Sequence, residues 1–131
     1  MKIENIKFKA KRLNNGKWVE GYFYAECGNA YIIEDRQSES MLNRNEAHQV
    51  DPSTVCQFTG LKDCGGTPIY EHDLLRCKKS GSIFEVVWNQ GNASFSLVDT
   101  EFPVLYPTNT LGRMWHNRQL KVIGNKFNND K

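Results

Sequence analysis

The chain has 131 residues, of which 39% are hydrophobic, 24% charged and 11% aromatic. This composition is typical of one globular domain and excludes an intrinsically disordered chain, because disordered chains are poor in aromatic residues. The 17 Lys and Arg residues almost balance the 15 Asp and Glu residues, and the formal net charge of +2 argues against a dedicated nucleic-acid binder, which would carry a stronger basic excess.

The first fifty residues show the pattern of a β-meander. Three strands are predicted, over residues 6–11, 18–25 and 30–35. In the first strand apolar residues alternate with lysines, so that Lys7, Lys9 and Lys11 share one basic face. The segment Asn14-Asn15-Gly16 predicts a turn, because Asn and Gly tolerate a positive φ. A polar stretch over residues 36–46 predicts a loop.

The second half of the chain returns to the β pattern after a short helical turn at Asp51-Pro52. Further strands are predicted over residues 74–79, 83–89, 93–98 and 120–123. In the second of these strands Phe84, Val86 and Trp88 share a face, which we expect to point into the core. One short helix is predicted before the last strand, from the helical spacing of Leu111, Met114 and Trp115.

These elements predict a mostly β protein that combines an N-terminal β-meander with a small SH3-like β-barrel and one or two short helical turns. We expect a single compact unit over residues 1–131, which could be subdivided into a meander at 1–50 and a barrel at 68–125. The N-terminal residues lack the apolar run of a signal peptide, and no stretch reaches the roughly 18 apolar residues of a membrane span. We therefore expect a cytoplasmic protein without membrane contact, whose cysteines are free thiols: Cys27, Cys56, Cys64 and Cys77.

Two segments carry a more specific signal than periodicity. Residues 50–75 contain Gln57-Phe58-Thr59-Gly60-Leu61-Lys62-Asp63 and, further on, Pro68-Ile69-Tyr70-Glu71-His72-Asp73, and the second segment is Leu120-Lys121-Val122-Ile123-Gly124-Asn125. They resemble the central signature and the closing strand of the YopX family of phage- and prophage-encoded proteins. The resemblance implies a mostly β fold with an SH3-type barrel and a phage or prophage origin, and it supplies no catalytic residues.

Eight positions of the matching motif are expected to have structural roles: Gln57, Thr59, Gly60, Leu61, Asp63, Tyr70, Glu71 and Asp73. One position departs from the family pattern, since His72 stands where a glycine is expected between two acidic residues. If this position requires a positive φ, His72 adopts it at a conformational cost that glycine would not have.

Glu71 and Asp73 are the strongest candidates for chemistry. On an extended segment their carboxylates would point to the same side, as two metal-binding carboxylates do. In the structural alternative they cap turns and accept hydrogen bonds from backbone N–H groups. We favour the structural alternative, because no second cluster of ligands is spaced to complete a metal site.

Other catalytic patterns are missing from the sequence. The cysteines form no C-x-x-C pair, so the spacing of a structural zinc site is absent. The chain also lacks a G-x-S-x-G nucleophile motif and a phosphate-binding glycine loop. The sequence therefore predicts a protein that is not an enzyme and that holds no cofactor and no metal ion.

The basic face of Lys7, Lys9 and Lys11 is the second candidate site. These lysines could contact the phosphates of a nucleic acid. Three aromatic residues could stack on its bases: Tyr22, Tyr24 and Trp88. In the alternative, the lysines are the solvated face of an edge strand and prevent edge-to-edge pairing. We favour the alternative, because the net charge is only slightly positive.

The sequence therefore favours a non-catalytic binding or assembly module, whose partner is another protein or a second copy of the chain. Two competing functions remain open. The first is a nucleic-acid-binding accessory protein that uses the N-terminal basic face, and the second is a metal-dependent enzyme centred on Glu71 and Asp73.

Overall fold

A computed structural model describes residues 5–34, 47–103, 109–117 and 119–128. The loop predicted over residues 36–46 lies outside the described residues. The structure is mostly β, as predicted. Its strands are β1 (Phe8–Lys11), β2 (Trp18–Glu26), β3 (Asn29–Glu34), β4 (Ala47–Val50), β5 (Cys56–Lys62), β6 (Pro68–Tyr70), β7 (Asp73–Cys77), β8 (Ile83–Asn89), β9 (Ser94–Asp99) and β10 (Leu120–Asn125).

Short helical elements accompany these strands. The α-helix α1 covers Leu111–Asn117, where the spacing of its apolar residues predicted a helix, and two 3-10 turns cover Pro52–Thr54 and Lys126–Asn128. Asp51 caps the first 3-10 turn, because its side chain accepts a hydrogen bond from the backbone N–H of Ser53. The chain divides into two compact units, Met1–Phe58 and Thr59–Lys131.

The first unit contains an antiparallel sheet with the strand order β4-β3-β2-β1-β5. Lys9 of β1 pairs with Glu20 of β2 on one side and with Cys56 of β5 on the other. β1 is therefore an interior strand, and the prediction that the lysines lie on an edge strand is wrong. The physical reason is that β5 follows β1 far along the chain, and such a long-range pairing leaves no mark on the local period of either strand.

One face of this sheet forms a small core. Its buried residues alternate along their strands with exposed or half-buried ones, as expected for a sheet with one covered face. The core consists of Ala10, Val19, Ala30, Ile32 and Val50, with Phe8 and Val55 packed against it.

The second unit contains an antiparallel sheet with the strand order β10-β7-β8-β9. The last residues of β5 lie beside β6, where the Thr59 hydroxyl donates a hydrogen bond of 2.8 Å to the Ile69 carbonyl. Within the described ranges these strands do not close into a barrel. A cluster of buried residues fills the unit and draws on β6 to β10 and α1: Ile69, Leu75, Cys77, Phe84, Val86, Leu97, Leu111 and Leu120.

Trp88 does not belong to this core. The predicted alternation holds for Phe84 and Val86, which are buried, but the Trp88 side chain is 42% exposed. Trp88 is the penultimate residue of β8, beyond the buried pair Val86 and Leu97, and its ring lies edge-on to its cross-strand partner Phe95 at 5.1 Å. The prediction that Trp88 points into the core is therefore wrong, because Phe95 of the paired strand packs against the core, whereas the Trp88 ring packs on Phe95 and donates a 2.8 Å hydrogen bond to the Gln90 side chain.

Candidate functional site

One face of the sheet in the first unit combines lysines with aromatic rings, and we call it the lysine–aromatic face. Residues that lie directly opposite each other in an antiparallel pair point to the same face. In the sheet register, Lys11 of β1 lies opposite Trp18 of β2, and Tyr24 of β2 lies opposite Tyr31 of β3. The lysine–aromatic face comprises Lys7, Lys9, Lys11, Trp18, Tyr22, Tyr24, Tyr31 and Phe58.

The three lysines of this face lie across aromatic rings. The ammonium nitrogen of Lys7 is 4.8 Å from the centre of the Phe58 ring, and that of Lys9 is 4.8 Å from the Trp18 ring. The Lys11 nitrogen also lies over Trp18, at 5.6 Å. These are cation–π distances, and the three lysines are half-buried residues. The aromatic rings thus hold three positive charges in a row along β1.

The tyrosines of the face lie toward its β2 and β3 side. Tyr22 and Tyr24 are exposed residues, with exposed fractions of 40% and 36%. The rings of Tyr24 and Tyr31 are stacked at 4.9 Å with an angle of 15° between their planes. The face therefore has lysines along β1, Trp18 and Glu20 opposite Lys11 and Lys9 on β2, and tyrosines further along β2 and on β3.

An acidic residue interrupts the face. Glu20 of β2 lies directly opposite Lys9 of β1 in the strand register, and it is an exposed residue. A carboxylate at this position lowers the positive potential that the lysines create.

The Glu71-His72-Asp73 segment, the other candidate, forms a turn between β6 and β7. Asp73 is 1% exposed, and its two carboxylate oxygens accept hydrogen bonds from the Tyr70 backbone N–H at 2.8 Å and from the Asn125 side-chain amide at 2.9 Å. The Glu71 carboxylate lies 3.7 Å from the His72 ring nitrogen Nε2. In the ranges that the structure describes, no group of three or more His, Cys, Asp or Glu residues could hold a metal ion.

His72 has a φ of 70°, the left-handed conformation that glycine adopts most readily. The position therefore requires the positive φ that the family pattern suggested. Its backbone N–H donates a 2.7 Å hydrogen bond to the Val86 carbonyl, and its carbonyl accepts one of 2.9 Å from the Lys126 N–H. The ring nitrogen Nδ1 lies 3.1 Å from the Glu85 carboxylate. These contacts hold His72 in a conformation that it would otherwise avoid.

Asp63 closes the turn between β5 and β6. One carboxylate oxygen accepts hydrogen bonds from the backbone N–H groups of Gly65 and Thr67, both at 2.8 Å, and the other accepts one of 2.9 Å from Val122. Burial of the carboxyl raises its pKa, but these three hydrogen bonds and the positive charge of Lys121 outweigh burial, so that the pKa lies below its ordinary value of 3.8.

The remaining positions of the motif contribute backbone shape and core packing. Gly60 has a φ of 91°, and Leu61 packs against the core of the second unit. Tyr70 is 3% exposed, whereas Gln57 is exposed on β5.

The sequence predicted that Lys7, Lys9 and Lys11 share one face and named Tyr22 and Tyr24 as candidate stacking residues, but it missed three aromatic members of the face. Trp18 shares the alternation of Tyr22 and Tyr24 within β2, and this signal could have identified it. Tyr31 and Phe58 lie on other strands, and only the register shows that they belong to the face. Trp88 lies in the second unit and is not part of the lysine–aromatic face.

The described elements define a small, mostly β protein whose turns are held by buried aspartates. The family model described as YopX protein matches residues 5–131, which is nearly the whole chain. The chain belongs to the YopX family. No curated protein matches it. Among the described residues, no helix has the length and apolar character needed to cross a membrane.

Proposed function

We propose that the chain is a non-catalytic binding module that binds nucleic acid through the lysine–aromatic face of its first unit. The observation that carries this proposal is the row of three lysine ammonium groups, each held over an aromatic ring. Lysines on one face bind phosphates by charge, and the release of counterions from the nucleic acid supplies the free energy.

The position of β1 favours this proposal over the alternative in which the lysines only prevent edge-to-edge pairing. Lysines that protect a sheet from aggregation belong on an edge strand. β1 pairs on both sides, so its lysines protect no edge. A net charge of +2 is small for a nucleic-acid binder, but a cluster on one face creates a local potential that the whole-chain sum does not show.

The second unit is proposed to have the architecture of a small SH3-like barrel, with the open strand order β10-β7-β8-β9 among its described residues, and to serve assembly with a protein partner or with a second copy of the chain. One buried cluster joins residues from β6 to β10, as the single core of a small barrel would. This part of the proposal rests on fold analogy. We also propose that the protein has a phage or prophage origin and a cytoplasmic location.

The test is a binding titration with fluorescently labelled nucleic acid over a range of salt concentrations. The wild-type protein is compared with the triple variant Lys7→Gln, Lys9→Gln and Lys11→Gln. Removing three phosphate contacts from a single strand should reduce the slope of log K against log salt by about 2, since each contact contributes about 0.7. We expect binding to weaken by more than about tenfold at low salt.

A matched control removes the same charge elsewhere. Lys62, Lys78 and Lys79 are exposed residues of the second unit, and the triple variant with Gln at these positions should bind like the wild type. Equal losses in both triple variants would mean that only net charge matters and would contradict the proposed site. Absence of binding by the wild-type protein would contradict the proposed function itself.

A further inference from the structure

We infer that the lysine–aromatic face binds single-stranded nucleic acid, with phosphates along β1 and unpaired bases on the tyrosines of β2 and β3. This inference rests on the proposed function and names its ligand class. Lysines alone would bind any polyanion, so the inference depends on the tyrosines of the face.

The exposed rings are the first part of the argument. Tyr22 is 40% and Tyr24 36% exposed, although a sheet face usually covers large rings or replaces them with polar residues. The near-parallel stack of Tyr24 on Tyr31 shows that the rings of this region already adopt face-to-face packing. A base can extend such a stack, because every base has a flat π-surface.

The second part of the argument is that the aromatic rings of the face have two different roles. The ring of Trp18 is occupied by two lysine ammonium groups, and that of Phe58 is buried beneath a third. These two rings therefore position charges, whereas Tyr22 and Tyr24 are the more exposed aromatic residues of the face, at 40% and 36%. In the register of β1 with β2, Tyr22 lies two positions and Tyr24 four positions beyond Glu20, the partner of Lys9, which is about 7 and 14 Å along the strand. The tyrosines therefore follow the lysine row at its Lys7 end, where one nucleic-acid strand could contact the lysines and the tyrosines in succession.

The accessible rings discriminate between ligands. In a duplex the faces of the bases are covered by their neighbours in the stack, so a tyrosine on a sheet can stack only on an unpaired base. An acidic protein could satisfy the lysines but would leave the tyrosines without stacking partners.

The experiment measures binding of three labelled probes by fluorescence anisotropy: oligo-dT and oligo-rU of about 15 nucleotides and a DNA duplex of about the same length. The variant Tyr22→Thr with Tyr24→Thr removes both rings and keeps residues that favour strands. Loss of stacking should weaken single-strand binding by about 5- to 100-fold, which corresponds to roughly 1–3 kcal/mol, and should leave duplex binding unchanged.

The matched control is Tyr22→Phe with Tyr24→Phe, which keeps the rings and should bind single strands like the wild type. Circular dichroism spectra and melting temperatures of both variants serve to check that they are folded. Tighter binding of oligo-dT or of oligo-rU identifies the natural strand chemistry, and either result supports the inference.

Three outcomes would overturn the inference. The first is equal affinity of the wild type for duplex and single strands, with no effect of the threonine variant. This result would contradict base stacking but would still be consistent with a face that binds phosphates. Competition by poly-glutamate as strong as that by oligo-dT would indicate an acidic partner. A wild-type dimer in sedimentation that the threonine variant loses would show that the face binds a second copy of the chain.

Discussion

His72 shows how a motif position can be specified by its backbone. With a φ of 70° it lies in the left-handed region, and its backbone N–H and carbonyl are both engaged by neighbouring strands or turns. The sequence could predict this requirement, because a glycine is expected at the position in the family pattern. It could not predict the contact of the imidazole with Glu85, since β8 approaches the turn only in the folded chain.

We expect His72→Gly to be about 1 kcal/mol more stable than His72→Ala. Both substitutions remove the imidazole and its contact with Glu85, and only glycine adopts a positive φ without a steric cost. Urea denaturation of the two variants measures the difference in the free energy of unfolding. Equal stability, or a more stable alanine variant, would contradict the assignment of backbone strain to this residue.

Asp63 links the stability of the second unit to pH. Its pKa is lowered in the folded protein, so the charged form is favoured by folding. The resulting stabilisation is complete above the pKa of the unfolded chain, about 3.9, and is lost as the pH falls through the lower pKa of the folded protein.

The comparison of wild type with Asp63→Asn tests this dependence. Asparagine keeps one acceptor oxygen but replaces the other with an amide that cannot accept, so we expect the variant to be less stable at neutral pH. The difference in the free energy of unfolding should be constant between about pH 5 and 8 and should shrink below about pH 4. A difference that stays constant or grows as the pH falls would show that the Asp63 charge is not favoured by folding.

At the scale of elements, the hairpin of β8 and β9 was the most predictable part of the chain. The predicted strand over residues 83–89 matches β8, and the cross-strand pair of Val86 and Leu97 lies in the core as the alternation indicated. The failure at Trp88 has a simple cause. Alternation defines which face a side chain points to, but whether Trp88 or its cross-strand partner Phe95 packs against the core depends on other elements.

The exposure of Trp88 gives a direct prediction. Trp88→Ala should lower the free energy of unfolding by less than about 1.5 kcal/mol, well short of the roughly 3–5 kcal/mol typical of a buried tryptophan. Leu97→Ala, at a position with 0% exposure, should cost about 2–5 kcal/mol and serves as the buried reference. Thermal or urea unfolding compares the two. A loss at Trp88 as large as that at Leu97 would show that the ring contributes to the core after all.

At the scale of the whole molecule, local patterns predicted the class of fold and most strands but not which strands become neighbours. The period-two pattern of residues 7–11 is the same for an edge strand and for an interior one, and only the pairing of β1 with β5 distinguishes them. The same holds for the candidate site. The lysines were visible in one strand, whereas the complete face needs the register of β1, β2, β3 and β5.

The central claim of this account is that the first unit binds single-stranded nucleic acid on the lysine–aromatic face. An NMR titration of ¹⁵N-labelled protein with unlabelled oligo-dT of about 15 nucleotides tests binding and location together. We predict shift changes at backbone amides of β1, β2 and β3, with the amides of β7, β8 and β10 unaffected. Changes confined to the second unit, or none at saturating oligonucleotide, would contradict the claim.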